Sequence, residues 1–120
     1  MRLLLICLAA AAVTGCAAPP LYQWGGYEQA LYTSYKDPAQ VEPMRLKLEA
    51  HLAAMDQTKQ KAAPGLYAEL GTLYLQGGTT DKAIANYRME AKAWPESATL
   101  MNSMIQNLER RKPAKVESPQ

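Results

Sequence analysis

Residues 64–97 read PGLYAELGTLYLQGGTTDKAIANYRMEAKAWPES, and this stretch decides the fold. Tyr67, Leu70, Gly71 and Tyr74 recur at the three-to-four-residue spacing of one helical face. Gln76-Gly77-Gly78-Thr79-Thr80 breaks that face and reads as a turn. Ala83 and Tyr87 then lie four residues apart, on one side of a second helix. Gly71 and Ala83 are small where two antiparallel helices have to come close. Thr80 is expected to cap the second helix, with Asp81 favourably placed in its first turn. Pro95 is expected to stop it, because proline cannot continue the hydrogen-bond ladder. The stretch is a helical hairpin.

Downstream, a helix is expected over about 97–111, with Leu100, Met101, Met104, Ile105 and Leu108 as its core stripe. Arg110, Arg111 and Lys112 suit its negative C-terminal end, and acidic lipid head groups are a second reading for them. Pro113 to Gln120 is polar, holds two prolines and is expected to be disordered.

Upstream, a helix is expected over about 39–60, with Pro43 in its first turns. Val41, Met44, Leu48, Leu52 and Met55 form its main stripe. Leu46, Ala50, Ala53 and Ala54 form a second, smaller face, so neighbours are expected on both sides. His51 has no Cys or carboxylate beside it and reads as a surface or edge residue. Tyr22, Trp24, Tyr27, Tyr32 and Tyr35 crowd the segment before it. Trp24, Tyr27, Leu31 and Tyr35 fit one face of a short helix starting at Gly25-Gly26 and ending at Asp37-Pro38. That stripe either packs on the next helix or is an aromatic patch (Tyr22, Trp24, Tyr27) for a partner or glycan beside a membrane. The methionines Met55, Met89, Met101 and Met104 read as gap-fillers.

Composition agrees with helices. The chain has 120 residues, 48% of them hydrophobic. Val and Ile, which favour strands, are scarce outside the N-terminal run: Val41, Ile84, Ile105 and Val116. Thirteen Lys and Arg against 11 acids leave a net charge of +2, too little for a nucleic-acid footprint. With one His and two Cys there is no material for a metal cluster or a Cys/His catalytic pair. No Ser/His/Asp or paired-carboxylate grouping stands out either; Glu69 and Glu90 read as surface carboxylates of amphipathic helices. An enzyme is not expected, and neither a catalytic nor a metal residue is assigned.

The N-terminus carries an address. Met1-Arg2 is a short positive start, and Leu3 to Val13 is an unbroken apolar run. That run is about half the ~20 residues a membrane-spanning helix needs, so it reads as a signal-peptide core. Val13-Thr14-Gly15-Cys16 then resembles the lipobox of bacterial lipoprotein precursors. Small residues before Cys16 let an extended chain enter a peptidase, and the thiol takes up diacylglycerol. Cleavage between Gly15 and Cys16 is implied, with a covalent lipid on Cys16 (palmitate among its acyl chains) as the only prosthetic group. Each buried methylene contributes ~0.8 kcal/mol, and two or more chains anchor stably. Ala17 rather than Asp at the next position implies, by resemblance to enterobacterial sorting, the outer membrane.

Two further resemblances follow. Tyr67, Leu70, Gly71, Tyr74, Ala83, Tyr87 and Pro95 fall in the register of a tetratricopeptide repeat; Glu90 stands where that family puts a small Ala. One such unit cannot bury its own face, so the flanking helices are expected to act as a degenerate neighbour and a cap. The resemblance implies a short concave groove at Gly65, Ala68, Thr72, Leu75 and Gln76. These lack the Lys, Arg and Asn that clamp a carboxylate, so an apolar segment of another envelope protein is the expected occupant. The aromatic segment folding back as a plug is the alternative. Tyr22-Gln23-Trp24-Gly25-Gly26-Tyr27-Glu28 also resembles the Tyr-x-Trp-Gly-x-Tyr-Glu segment of a family of small bacterial lipoproteins of unknown function. That family is often associated with a lipoprotein similar to the curli export channel component, which implies a secretion or assembly accessory.

The expected organisation is a cleaved signal peptide (1–15), a lipidated tether (16–23), a helical domain (24–111) and a tail (112–120). The fold expected is all-α, a short tetratricopeptide-like stack of about five helices. The function expected is a non-enzymatic outer-membrane lipoprotein, on the periplasmic face, whose helical domain mediates protein–protein interaction. No nucleic acid or small-molecule substrate is expected. Activation of a peptidoglycan synthase and self-assembly into a structural lipoprotein are the alternatives.

Overall fold

A computed structural model describes residues 19–111, and among these residues the fold is all-helical, with five α-helices and no strand. The helices are α1 (Tyr27–Lys36), α2 (Val41–Gln57), α3 (Leu66–Gln76), α4 (Thr80–Ala93) and α5 (Ala98–Arg111). Single 3-10 turns, Pro38–Gln40 and Pro95–Ser97, lead into α2 and α5. Each starts on a proline, whose fixed φ suits a first helical position and whose missing N–H costs nothing there. The expected signal peptide, Gly15, Cys16 and the tail lie outside the described residues.

The hairpin of α3 and α4 is the centre of the stack. Tyr67, Leu70, Gly71 and Tyr74 are buried on α3, facing buried Ala83, Ile84 and Tyr87 on α4. A Cβ on Gly71 would sit 2.7 Å from Tyr87 Cε1 and 3.1 Å from the Ala83 carbonyl oxygen. Only a residue without a side chain lets the two backbones come so near. Leu73 on α3 and Met44, Leu48 and Leu52 on α2 belong to the same core, as do Met101 and Ile105 on α5. The stack is therefore one core, with the hairpin flanked by α2 on one side and α5 on the other.

Polar ties reinforce it. Tyr74 Oη donates to Glu49 on α2, and Arg45 pairs with both Glu42 and Glu49 while lying over the Tyr74 ring. Burial and the Glu49 carboxylate both push the Tyr74 phenol above its usual value. Tyr67 Oη donates to Asp56 at 2.9 Å. Arg88 and Glu109 pair at 2.7 Å between α4 and α5, exposed and worth at most about 1 kcal/mol.

Several expectations need correction. The short N-terminal helix starts at Tyr27, so Trp24 lies ahead of it. Its Leu31 and Tyr35 are exposed rather than packed, and the buried residue is Ser34. α1 packs along α2, and a small side chain allows the approach: Ser34 Oγ donates to the Leu31 carbonyl (2.8 Å) and lies 3.3 Å from Met44 Sδ. The second face of α2 has no neighbour; Leu46, Ala50, Ala53 and Ala54 are exposed. Thr80 is the first residue of α4, not its cap, and Thr79 holds the cap position without a side-chain bond. On α5, Leu100 faces solvent while Met101 and Ile105 are buried.

Glu90 is the largest departure. Expected on the surface, it is 1% exposed. Its Oε1 accepts the Gly65 N–H at 2.8 Å, tying α4 to the loop before α3. Its Oε2 has no partner among the described residues. A backbone N–H that would otherwise go unsatisfied explains why an acid occupies a place suited to alanine.

Gly71→Ala is expected to lower stability by about 1–3 kcal/mol, the usual range for overpacking a core. A fall in the urea midpoint with an unchanged m-value would show it.

Candidate functional site

Residues 22–27 form a strap across one end of the stack. The Tyr22 ring stands edge-on to Trp94, with centroids 5.5 Å apart and planes at 85°. The Gln23 carbonyl lies 2.9 Å from His51 Nε2; a carbonyl only accepts, so that nitrogen is the donor. Gly25 has φ 60° and lies over the same imidazole, where a Cβ would fall 2.4 Å from His51 Cγ. Both the backbone angle and the ring beneath require glycine there. The Trp24 carbonyl accepts the Tyr27 N–H at 3.0 Å, which turns the strap into α1.

Tyr27 closes the strap on α3, where its phenol donates to Glu69. Burial, then the charge and hydrogen bond of Glu69, push the Tyr27 phenol up to about 12. Burial and Asp56 push Tyr67 up to about 12 as well. Lys61 Nζ sits 3.4 Å from the centroid of the Trp94 ring, so that ring is held between an aromatic edge and an ammonium. Trp94 Nε1 is buried without a hydrogen-bond partner, so ring contacts rather than its N–H hold the residue.

The aromatic patch of Tyr22, Trp24 and Tyr27 is thus half-buried and spent largely on its own domain. Trp94, Lys61 and the strap role of His51 were not anticipated. The proline after Trp94 is a visible signal for a chain reversal, but nothing local pairs Trp94 with Tyr22, far away in sequence. Of the expected groove row, Ala68, Thr72 and Leu75 are half-buried. Ala68 and Leu75 pack against the core, and Thr72 Oγ1 donates to the Ala68 carbonyl and meets Tyr87 Oη at 3.2 Å. Gln76 and Gly65 are exposed. The aromatic segment touches α3 beside this row, at Glu69, while α1 itself runs along α2.

Two hollows lie elsewhere. One of about 200 Å³ opens between α1 and α2, near Gln29, Thr33 and Lys47. Another of about 240 Å³ sits at the far end of the stack, among Glu42, Arg45, Tyr74, Thr79 and Lys82. No group of three or more potential metal ligands occurs among the described residues. No helix among them is long and apolar enough to cross a membrane. What does stand out is the outer side of α1, where Leu31, Tyr32 and Tyr35 are exposed together.

These features define a small all-helical stack closed at one end by an aromatic strap. The model of a family described as a domain of unknown function (DUF4810) matches residues 21–104, from the strap into α5, and the chain belongs to that family. No curated protein and no solved structure matches it significantly.

Tyr27 and Tyr67, both pushed up to about 12, make stability fall in alkali. Each is favoured neutral in the fold, so its contribution is fully present below the ordinary value of 10.0 and is lost as pH rises towards about 12. Urea midpoints measured across that window should fall with pH, and Tyr27→Phe or Tyr67→Phe should flatten the decline. Gly25→Ala, which drives a methyl into the His51 ring, should loosen the strap; faster hydrogen exchange at the Tyr27 amide would report it.

Proposed function

We propose that the protein is a non-enzymatic lipoprotein of the bacterial outer membrane, anchored by acyl chains on Cys16, whose helical stack binds another envelope protein. The lipobox-like Val13-Thr14-Gly15-Cys16 behind an apolar run supports the anchor. The hairpin reads as a tetratricopeptide-like unit, supported by the glycine-to-ring contact of Gly71 and Tyr87. The fold by itself specifies no chemistry, and the sequence offers no catalytic grouping to add one. Accessory work in envelope assembly or secretion is the role that fits, in line with the family resemblance to partners of a curli-export-like lipoprotein.

One observation carries the interaction reading: α1 keeps a bare apolar side. Tyr35 is 90% exposed, Tyr32 56% and Leu31 41%, within a single ten-residue helix. Scattered exposed apolar residues are ordinary, but three adjacent ones on one helical face form a patch. Tyrosine is also enriched in protein interfaces, having an apolar ring and a polar tip. The Lys36 ammonium lies 4.3 Å from the Tyr32 ring centroid, which leaves a cation at the rim. The partner surface therefore moves from the expected row at Ala68, Thr72, Leu75 and Gln76 to the outer side of α1, and an apolar segment of a partner would lie along it.

A photo-crosslinking residue at Tyr35 or Leu31 should give a discrete protein adduct in living cells, and one at Thr72 should give little. Absence of adducts from both α1 positions would overturn the surface. Palmitate labelling that persists in Cys16→Ser would overturn the anchor.

A further inference from the structure

The five helices alternate in direction, so the starts of α1, α3 and α5 and the ends of α2 and α4 share one end of the stack. Contacts join the pieces found there. Tyr22 of the strap meets Trp94 after α4, Lys61 of the α2–α3 loop covers the same ring, and Gly65 of that loop is bonded to Glu90. The opposite end holds the 3-10 turn before α2, the Gly77-Gly78-Thr79 turn and the close of α5.

We infer that the strap end is a membrane seat: it rests on lipid head groups and the stack stands end-on, with the far end and α1's outer face held clear. This rests on the reading that Cys16 is acylated. Leash length carries the argument. Tyr22 is fastened to Trp94, so the chain that links lipid to body runs only from Cys16 to Tyr22. Those six residue steps span at most about 20 Å when fully extended. α4 has 14 residues, about 21 Å at 1.5 Å per residue. A leash drawn along the body would be used up before the far end, with nothing left to sink the acyl chains.

The surface at the strap end suits the position. Leu21, the residue where the leash meets the strap, is 83% exposed, an apolar side chain held at the root of an anchor. Lys59 and Lys61 project from the neighbouring loop and are exposed, and cations beside a bilayer are drawn to anionic head groups. The carboxylates closest in the fold are engaged inwards: Asp56 accepts from Tyr67 and Glu90 from Gly65. Glu28 and Glu96 are exposed near this end and set its rim.

The test uses the lipidated full chain, purified from cells and placed in phosphatidylethanolamine/phosphatidylglycerol vesicles. Cys7 leaves with the signal peptide and the Cys16 thiol is acylated, so an introduced thiol is the sole one. Fluorophores on Gln60→Cys (strap end), Tyr35→Cys (α1) and Lys82→Cys (far end) are challenged with a quencher carried on lipid head groups. Quenching at position 60 several-fold stronger than at 35 and 82 supports the seat. Equal or stronger quenching at 35 or 82, or none at any position on floating vesicles, overturns it. Flotation and the mass of the N-terminal peptide are read on the same sample. A chain that sinks with a bare Cys16 removes the anchor itself, whereas an acylated, floating chain with position 60 unquenched removes only the orientation.

Discussion

Gly71 lies against the ring of Tyr87 with no room for a methyl group between them, and most of the molecule is arranged around that contact. It sets the separation of α3 and α4, which in turn lets Thr72 Oγ1 reach Tyr87 Oη and so gives a fully buried phenol a hydrogen-bond partner. Once the hairpin closes, it presents two apolar flanks. α2 covers one with Met44, Leu48 and Leu52, and α5 covers the other with Met101 and Ile105. Neither flanking helix has a second neighbour able to bury it so completely. Their packing is derivative: without the hairpin they would have nothing flat to lie on.

The parts of this arrangement that were legible in the sequence are those governed by periodicity and by size. Tyr67, Leu70, Gly71 and Tyr74 declare one face of a helix, and Ala83 with Tyr87 declares the opposing one. Both halves met as expected. The stripe of α2 was equally plain because four buried residues recur at helical spacing. What stayed hidden depends on the number of neighbours, which no local pattern encodes. Leu46, Ala50, Ala53 and Ala54 look like a packing face, yet they are exposed and no helix among the described residues covers them. Leu100 and Tyr35 fail for the same reason. An apolar residue at the right spacing is buried only if something arrives to bury it.

The strap shows a different limit. Its aromatic content was obvious, and its glycines marked a turn, but its docking relies on residues distant in sequence. Trp94 receives Tyr22, His51 receives the Gln23 carbonyl, and Glu69 receives Tyr27. Each partner sits on a different helix or turn, brought to one end by the antiparallel order of the stack. Glu90 belongs to the same class of surprise. A buried acid on an apolar face makes sense only when the Gly65 N–H, in a loop some way back along the chain, is placed above it.

A stack of this length also redistributes where binding can occur. Long helical-repeat arrays bind in a concave groove because many parallel helices share one curved side. Here Ala68, Thr72 and Leu75 of α3 are half-buried, and Ala68 and Leu75 pack against the domain's own core. In a stack of only five helices the outer edges stay open. α1 is such an edge: it has one neighbour on its inner side, and bare Leu31, Tyr32 and Tyr35 on its outer side. The strap closes one end of the stack and leaves Leu31, Tyr32 and Tyr35 of α1 uncovered.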